Sequence, residues 1–124
     1  MRIAVIEDER PIREGLVHIL NKISPEYQVV GSAENGREGL ILLEEQDPDL
    51  ILLDMIMPLL SGMDTARELR QHDPHVPIIF LTSSPEFALE SYEVRTFWYL
   101  LKPLDEVRFH AVLDSWYEVH KASM

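Results

Sequence analysis

Two short stretches, "LILLD" (Leu50 to Asp54) and "PIIFLT" (Pro77 to Thr82), are apolar at successive positions until a polar residue ends them. A strand with one face in water alternates apolar and polar side chains. A strand that is apolar on both faces has to be covered on both, as in a parallel sheet flanked by helices. The first run also carries a carboxylate to its tip. A buried ionised Asp without partners is expensive, so Asp54 must lie at an edge that faces water or meet other groups there.

The neighbouring segments supply the covering layers. Residues 3–6 form a β-favouring run. Asp8 is suited to cap a helix whose first turn holds Pro11 and whose apolar positions are Ile12, Leu16, Ile19, Leu20 and Ile23. A second strand is expected over 27–33. A helix then opens at Asn35-Gly36 and closes at Asp47-Pro48. After the third strand (50–53), residues 58–62 read as loop, and a third helix carries Ala66 and Leu69 to His72-Asp73-Pro74. The fourth strand is 77–81, a weaker fourth helix 85–92, and the fifth strand 97–101. Asp105 caps a last helix with Phe109, Val112, Leu113, Trp116 and Tyr117 on one face. Strand and helix alternate five times, which predicts a parallel sheet with helices on both faces.

At 124 residues the chain has the size of one domain. Its formal net charge of −11 argues against gripping a nucleic-acid backbone, which needs Lys and Arg. There is no cysteine, hence no disulfide framework. Glu7 and Asp8 come too early for a secretory leader, and no apolar run is long enough to span a bilayer, so a cytoplasmic location is expected.

In a parallel α/β sheet all strands deliver their C-terminal ends to one edge, and ligands bind where the strand order reverses. That edge receives Glu7-Asp8, Ala33-Glu34, Asp54, Thr82-Ser83 and Lys102-Pro103. With the flavodoxin-like order 2-1-3-4-5, Glu7, Asp8 and Asp54 crowd together, and Thr82 and Lys102 close the far side. Crowded carboxylates repel one another unless one takes up a proton. A hard divalent cation removes the conflict, and oxygen-only donors suit Mg²⁺. A carboxylate beside Mg²⁺ and Lys can act as a nucleophile toward phosphorus.

Glu7-Asp8, Asp54 followed by Met57-Pro58 and Gly62, Thr82-Ser83 and "YLLKP" (Tyr99 to Pro103) together resemble the receiver domains of bacterial two-component response regulators. The resemblance covers essentially the whole chain and implies a (βα)5 three-layer sandwich. It implies Asp54 as phosphoacceptor for a sensor histidine kinase. It implies Asp8 as direct Mg²⁺ ligand, Glu7 acting through water, and the Ile56 carbonyl as a further ligand. Lys102 would bond the phosphoryl group, Thr82 and Tyr99 would form a switch pair, Pro103 would follow a cis bond, and Gly62 would be structural. Homodimerisation through the face built by the fourth helix, the fifth strand and the last helix is the expected response to phosphorylation. Three departures stand out: Glu7 in place of the more frequent Asp, the apolar Ile56, and Ser61 where Asp often stands. The segment "EFALESYEVRTFWYLLKP" resembles receivers fused to LytTR-type DNA-binding domains. An output domain, LytTR-type or AraC-type, would lie outside this chain; a stand-alone receiver is the alternative.

Two other functions are weighed against this. A phosphohydrolase with an aspartyl intermediate needs a second acid two residues after Asp54, where Ile56 stands. A nucleotide site needs a Gly-rich or Ser/Thr-rich loop after the first strand, and none is there. His72-Asp73-Pro74-His75 reads as a solvated turn, and Met55, Met57, Met63 and Trp116 as packing residues.

Overall fold

The computed structural model describes residues 1–83 and 85–123. Five parallel strands form one sheet in the order β2-β1-β3-β4-β5. They are β1 (Arg2–Ile6), β2 (Gln28–Ala33), β3 (Leu50–Asp54), β4 (Ile78–Thr82) and β5 (Trp98–Leu101). Four long helices flank them: α1 (Arg10–Ile23), α2 (Gly36–Gln46), α3 (Gly62–His72) and α5 (Glu106–His120).

Successive strand residues point to opposite faces, and the chain uses this to build two cores. Ile3 and Val5, Leu50 and Leu52, Ile79 and Leu81 face one way, where they pack with Leu16, Leu20, Phe109, Leu113 and Trp116 of α1 and α5. Ala4 and Ile6, Ile51 and Leu53, Ile78 and Phe80 face the other way, toward Leu43, Met63, Ala66 and Leu69 of α2 and α3. Every residue of β3 and β4 is buried. This is why both runs are apolar at each position. Tyr27 ends just before β2; its hydroxyl donates to Asp114 Oδ1 at 2.5 Å, tying that edge to α5.

Helix starts follow local chemistry, with one exception. Asn35 Oδ1 accepts from the Glu38 N–H, Ser61 Oγ from Asp64, and Asp105 Oδ1 from Val107 and Arg108. The expected capping role of Asp8 is not realised. The capping position of α1 is Glu9, which makes no side-chain cap bond. Asp8 is drawn instead into the carboxylate cluster described below.

The fourth helix is also shorter than its expected span. A 3-10 turn (Pro85–Phe87) leads into one turn of α4 (Ala88–Ser91) and a second 3-10 turn (Tyr92–Val94), which Arg95 closes in the left-handed region at φ 52°. An isolated segment of this length is marginal as an α-helix, and its last turn is anchored to the body of the domain. Val94 is buried against the α2–α3 core, and Arg70 Nε donates to its carbonyl at 2.7 Å. No helix among the described residues is long and apolar enough to cross a membrane.

Candidate functional site

Pairing of β3 between β1 and β4 sets Ile6 beside Leu53 and Asp54 beside Leu81. The residues just past β1 therefore stand next to the tip of β3. Glu7 is fully buried, Asp54 nearly so, and Asp8 half-buried. Their carboxylates each offer an oxygen within 4.8 Å of the others.

Lys102, brought in by β5, closes this cluster. Its Nζ lies 2.5 Å from Glu7 Oε1, 3.2 Å from Asp54 Oδ1 and 4.0 Å from Glu9 Oε1. The Lys102 N–H donates to the Thr82 carbonyl at 2.7 Å, and the Lys102–Pro103 peptide is cis. Thr82, the last residue of β4, is buried. Tyr99 is half-buried and packs on the α2–α3 core, beside Phe80 in the sheet register. Ile56 exposes its side chain, and its N–H donates to Asp54 Oδ1 at 3.4 Å. Gly62 begins α3 directly beneath this loop, with its N–H on the Met55 carbonyl at 2.9 Å.

Three carboxylates facing one ammonium leave an excess of negative charge in a site with little water. Burial, followed by the adjoining carboxylates of Glu7 and Asp8, pushes the Asp54 carboxyl up to about 9; Lys102 only partly opposes this. Burial also works against ionisation of Asp8, but proton sharing with Asp54 and Glu7, together with the charge of Lys102, holds it below its ordinary value. Burial opposes the charge on Lys102 too, and the contacts with Glu7 and Asp54 outweigh it and raise its affinity for a proton. Without a cation the cluster therefore favours uptake of a proton among its carboxylates.

Glu7 Oε2 is buried without a hydrogen-bond partner among the described residues. Convergent carboxylates, an orphaned buried oxygen and the absence of His or Cys from the cluster fit a hard divalent cation such as Mg²⁺.

The other sequence candidates lie elsewhere. His72, Pro74 and His75 are exposed, and Asp73 Oδ1 accepts from the His75 and Val76 N–H groups, as in a turn. Met55, Met57, Met63 and Trp116 are core residues. Two residues reach the site unannounced by any motif. Glu9 approaches Lys102, and Arg13 Nη1 donates to the Glu7 carbonyl at 2.8 Å and the Asp8 carbonyl at 3.4 Å. The available signal is that Arg13 is a cation in the first turn of a helix, where the dipole favours acids.

Comparison with known proteins gives the family of the fold. The sequence matches the response regulator receiver domain over residues 3–114. It is 36% identical over 104 residues to the positive alginate biosynthesis regulatory protein of Pseudomonas aeruginosa, covering 84% of this chain and 42% of that protein. It is 34% identical over 116 residues to the sensory transduction protein LytT of Oceanobacillus iheyensis, covering 92% and 47%. The chain thus spans less than half the length of these relatives. Among solved structures, the response regulatory domain of protein mrkE from Klebsiella pneumoniae superposes with a TM-score of 0.89 at 30% identity, covering 98% of this chain and 99% of that one. With its 2-1-3-4-5 parallel sheet and a family match over nearly its whole length, the chain belongs to the receiver domains of two-component response regulators.

Proposed function

We propose that this receiver takes a phosphoryl group from a phosphohistidine of a sensor histidine kinase onto Asp54, with Mg²⁺ bound at the Glu7–Asp8–Asp54 cluster. The observation that carries the reading is a nearly buried carboxylate at the tip of β3, 3.2 Å from the Lys102 ammonium and flanked by two further carboxylates.

Asp8 and Asp54 would hold the cation directly, Glu7 through water, and the Ile56 carbonyl would complete the protein donors. Mg²⁺ supplies charge neutralisation at the phosphoryl oxygens. Asp54, relieved of its proton, attacks phosphorus with a carboxylate oxygen. The phosphorus–nitrogen bond of the donor breaks, and its electron pair returns to the imidazole, which takes up a proton. Lys102 moves from Glu7 toward a phosphoryl oxygen as a point charge, and the Thr82 hydroxyl bonds another. The buried strand tip fixes the nucleophile, so positioning and electrostatics do most of the work. The product is a stored signal, with slow self-hydrolysis rather than turnover.

The direct test is intact mass after incubation with Mg²⁺ and a small phosphodonor. Wild type gains one phosphoryl group, and EDTA abolishes the gain. Asp54→Asn is expected to gain none; full labelling of that variant would remove Asp54 from the role.

The same reading extends to output. The Thr82 hydroxyl moves toward the new charge and Tyr99 swings further inward, altering the surface that carries the exposed Trp98, Leu101 and Val107. Homodimerisation through the α4-β5-α5 face would follow, and an output domain outside this chain would act on transcription, in keeping with the regulatory relatives. Light-scattering mass should double with beryllofluoride and Mg²⁺ in wild type and stay monomeric in Thr82→Ala. A monomer under all conditions would refute the dimer for this domain.

A further inference from the structure

We propose that Arg13 is a positioning residue for the cation site, acting through the main chain of Glu7 and Asp8; the proposal rests on the metal-binding reading above. The first observation is geometric. The Arg13 guanidinium reaches back from the first turn of α1 to the carbonyls of both acidic residues, at 2.8 and 3.4 Å. The Glu7 peptide is also held through its N–H, which donates to the Ala33 carbonyl at the end of β2 at 3.0 Å. The turn between β1 and α1 is therefore clamped between β2 and α1. Both bonds come from one nitrogen, Nη1, at the end of the long arginine side chain; a lysine ammonium, carried on a shorter stem, would fall short of the same two carbonyls.

The second observation is that Arg13 is in the wrong place for the helix that carries it. The first turn of α1 holds no acid, its capping residue makes no side-chain bond, and both Arg10 and Arg13 sit near the positive end of the dipole. Arg10 is compensated by Glu14 at 2.8 Å. The polar contacts of Arg13 lead to the carbonyls of the acidic pair. A local rule broken without gain to the element itself points to a role in the site. That role also explains why Asp8 does not cap α1. With the turn fixed by Arg13, the Asp8 carboxylate stays with Asp54 and Glu7 rather than folding back onto the helix N–H groups.

The sign of the effect separates positioning from simple charge. A cation near a cation-binding site repels the metal, so deleting its charge should tighten Mg²⁺ binding. Loss of a positioning contact should weaken it, and losses of support to metal ligands run to about tenfold or more. The experiment is calorimetric titration with MgCl₂ of wild type, Arg13→Met, Arg13→Lys and, as a charge control, Arg10→Met. Melting temperatures in EDTA are measured alongside. The expected result is binding by wild type and Arg10→Met, about tenfold weaker binding by Arg13→Met, and an intermediate loss in Arg13→Lys. Unchanged or tighter binding by Arg13→Met overturns the proposal, and a lowered melting temperature with wild-type affinity reduces Arg13 to a structural anchor. If Arg13→Met does not fold, Arg13→Lys decides: weakened binding supports positioning and wild-type affinity overturns it. No binding by wild type would sink the metal reading itself, and the inference with it.

Discussion

Gly62→Ala is expected to destabilise the protein by about 3 kcal/mol and to abolish phosphoryl acceptance. A Cβ on Gly62 would lie 2.0 Å from the Asp54 carbonyl oxygen and 2.7 Å from Met55 Cα. Both are backbone atoms, so no side chain can rotate away, and the tip of β3 or the start of α3 must move. The backbone of Gly62 is not in the left-handed region, so its reason for being Gly is space and not conformation. Helix propensity works the other way, since Ala is better than Gly in a helix by up to about 1 kcal/mol, but the clash outweighs it. Because the atom displaced belongs to Asp54, activity falls along with stability. Gly15→Ala on α1 is the matched control: a Cβ there meets nothing within 4 Å, and a stabilisation of about 0.5–1 kcal/mol is expected. Urea unfolding and mass labelling of the two variants check both halves. A Gly62→Ala protein as stable as wild type would mean that α3 stands further from β3 than described.

Lys102→Met is expected to cost about 3–5 kcal/mol in the metal-free protein at alkaline pH, and much less near pH 5. Met keeps most of the aliphatic stem and removes only the ammonium. Glu7 is then fully buried with no cation, and Asp54 loses its partner at 3.2 Å. The pH dependence follows from linkage. In wild type the folded Asp54 carboxyl titrates at about 9, far above its ordinary 3.8, so the native state holds a proton that the unfolded chain releases. Stability of the metal-free protein therefore falls as pH rises between these values. The raised affinity of Lys102 contributes stability that is fully present below 10.5, hence throughout this window. The lowered value for Asp8 contributes stability lost only as pH falls below 3.8, outside the window. Removing Lys102 drives the buried carboxylates further toward protonation, which is harmless in acid and costly in base. Unfolding in EDTA at about pH 5 and about pH 8 should show a gap between wild type and variant that widens with pH. A constant gap would mean that the ammonium does not compensate the buried carboxylates. Labelling of Asp54 should be lost at either pH.

The unbroken apolar runs of β3 and β4 made a sheet covered on both faces legible, because only full burial tolerates such residues at each position. Alternation with helical periodicity made the strands parallel, and parallel strands send their C-terminal ends to one edge. That much places Glu7, Asp8, Asp54, Thr82 and Lys102 on a common rim from the sequence. The short fourth helix was less legible, since its helical pattern is weak and its actual form depends on where Val94 and Arg70 anchor it. The role of Asp8 was ambiguous for a related reason. An Asp before a helix is a good cap by local chemistry, and the alternative it takes here exists because β3 brings Asp54 alongside.

Sequence by itself determined the layers, the strand direction and the identity of the acidic and basic residues at the rim, since those depend on periodicity and on the fixed polarity of a parallel sheet. Tertiary structure alone decided which of those groups touch. The ion pair between Glu7 and Lys102 joins residues 95 positions apart, Gly62 is required by an atom of Asp54, and Arg13 finds its partners across a turn. These contacts are set by strand order and ångström-scale packing, which no local pattern of residues encodes.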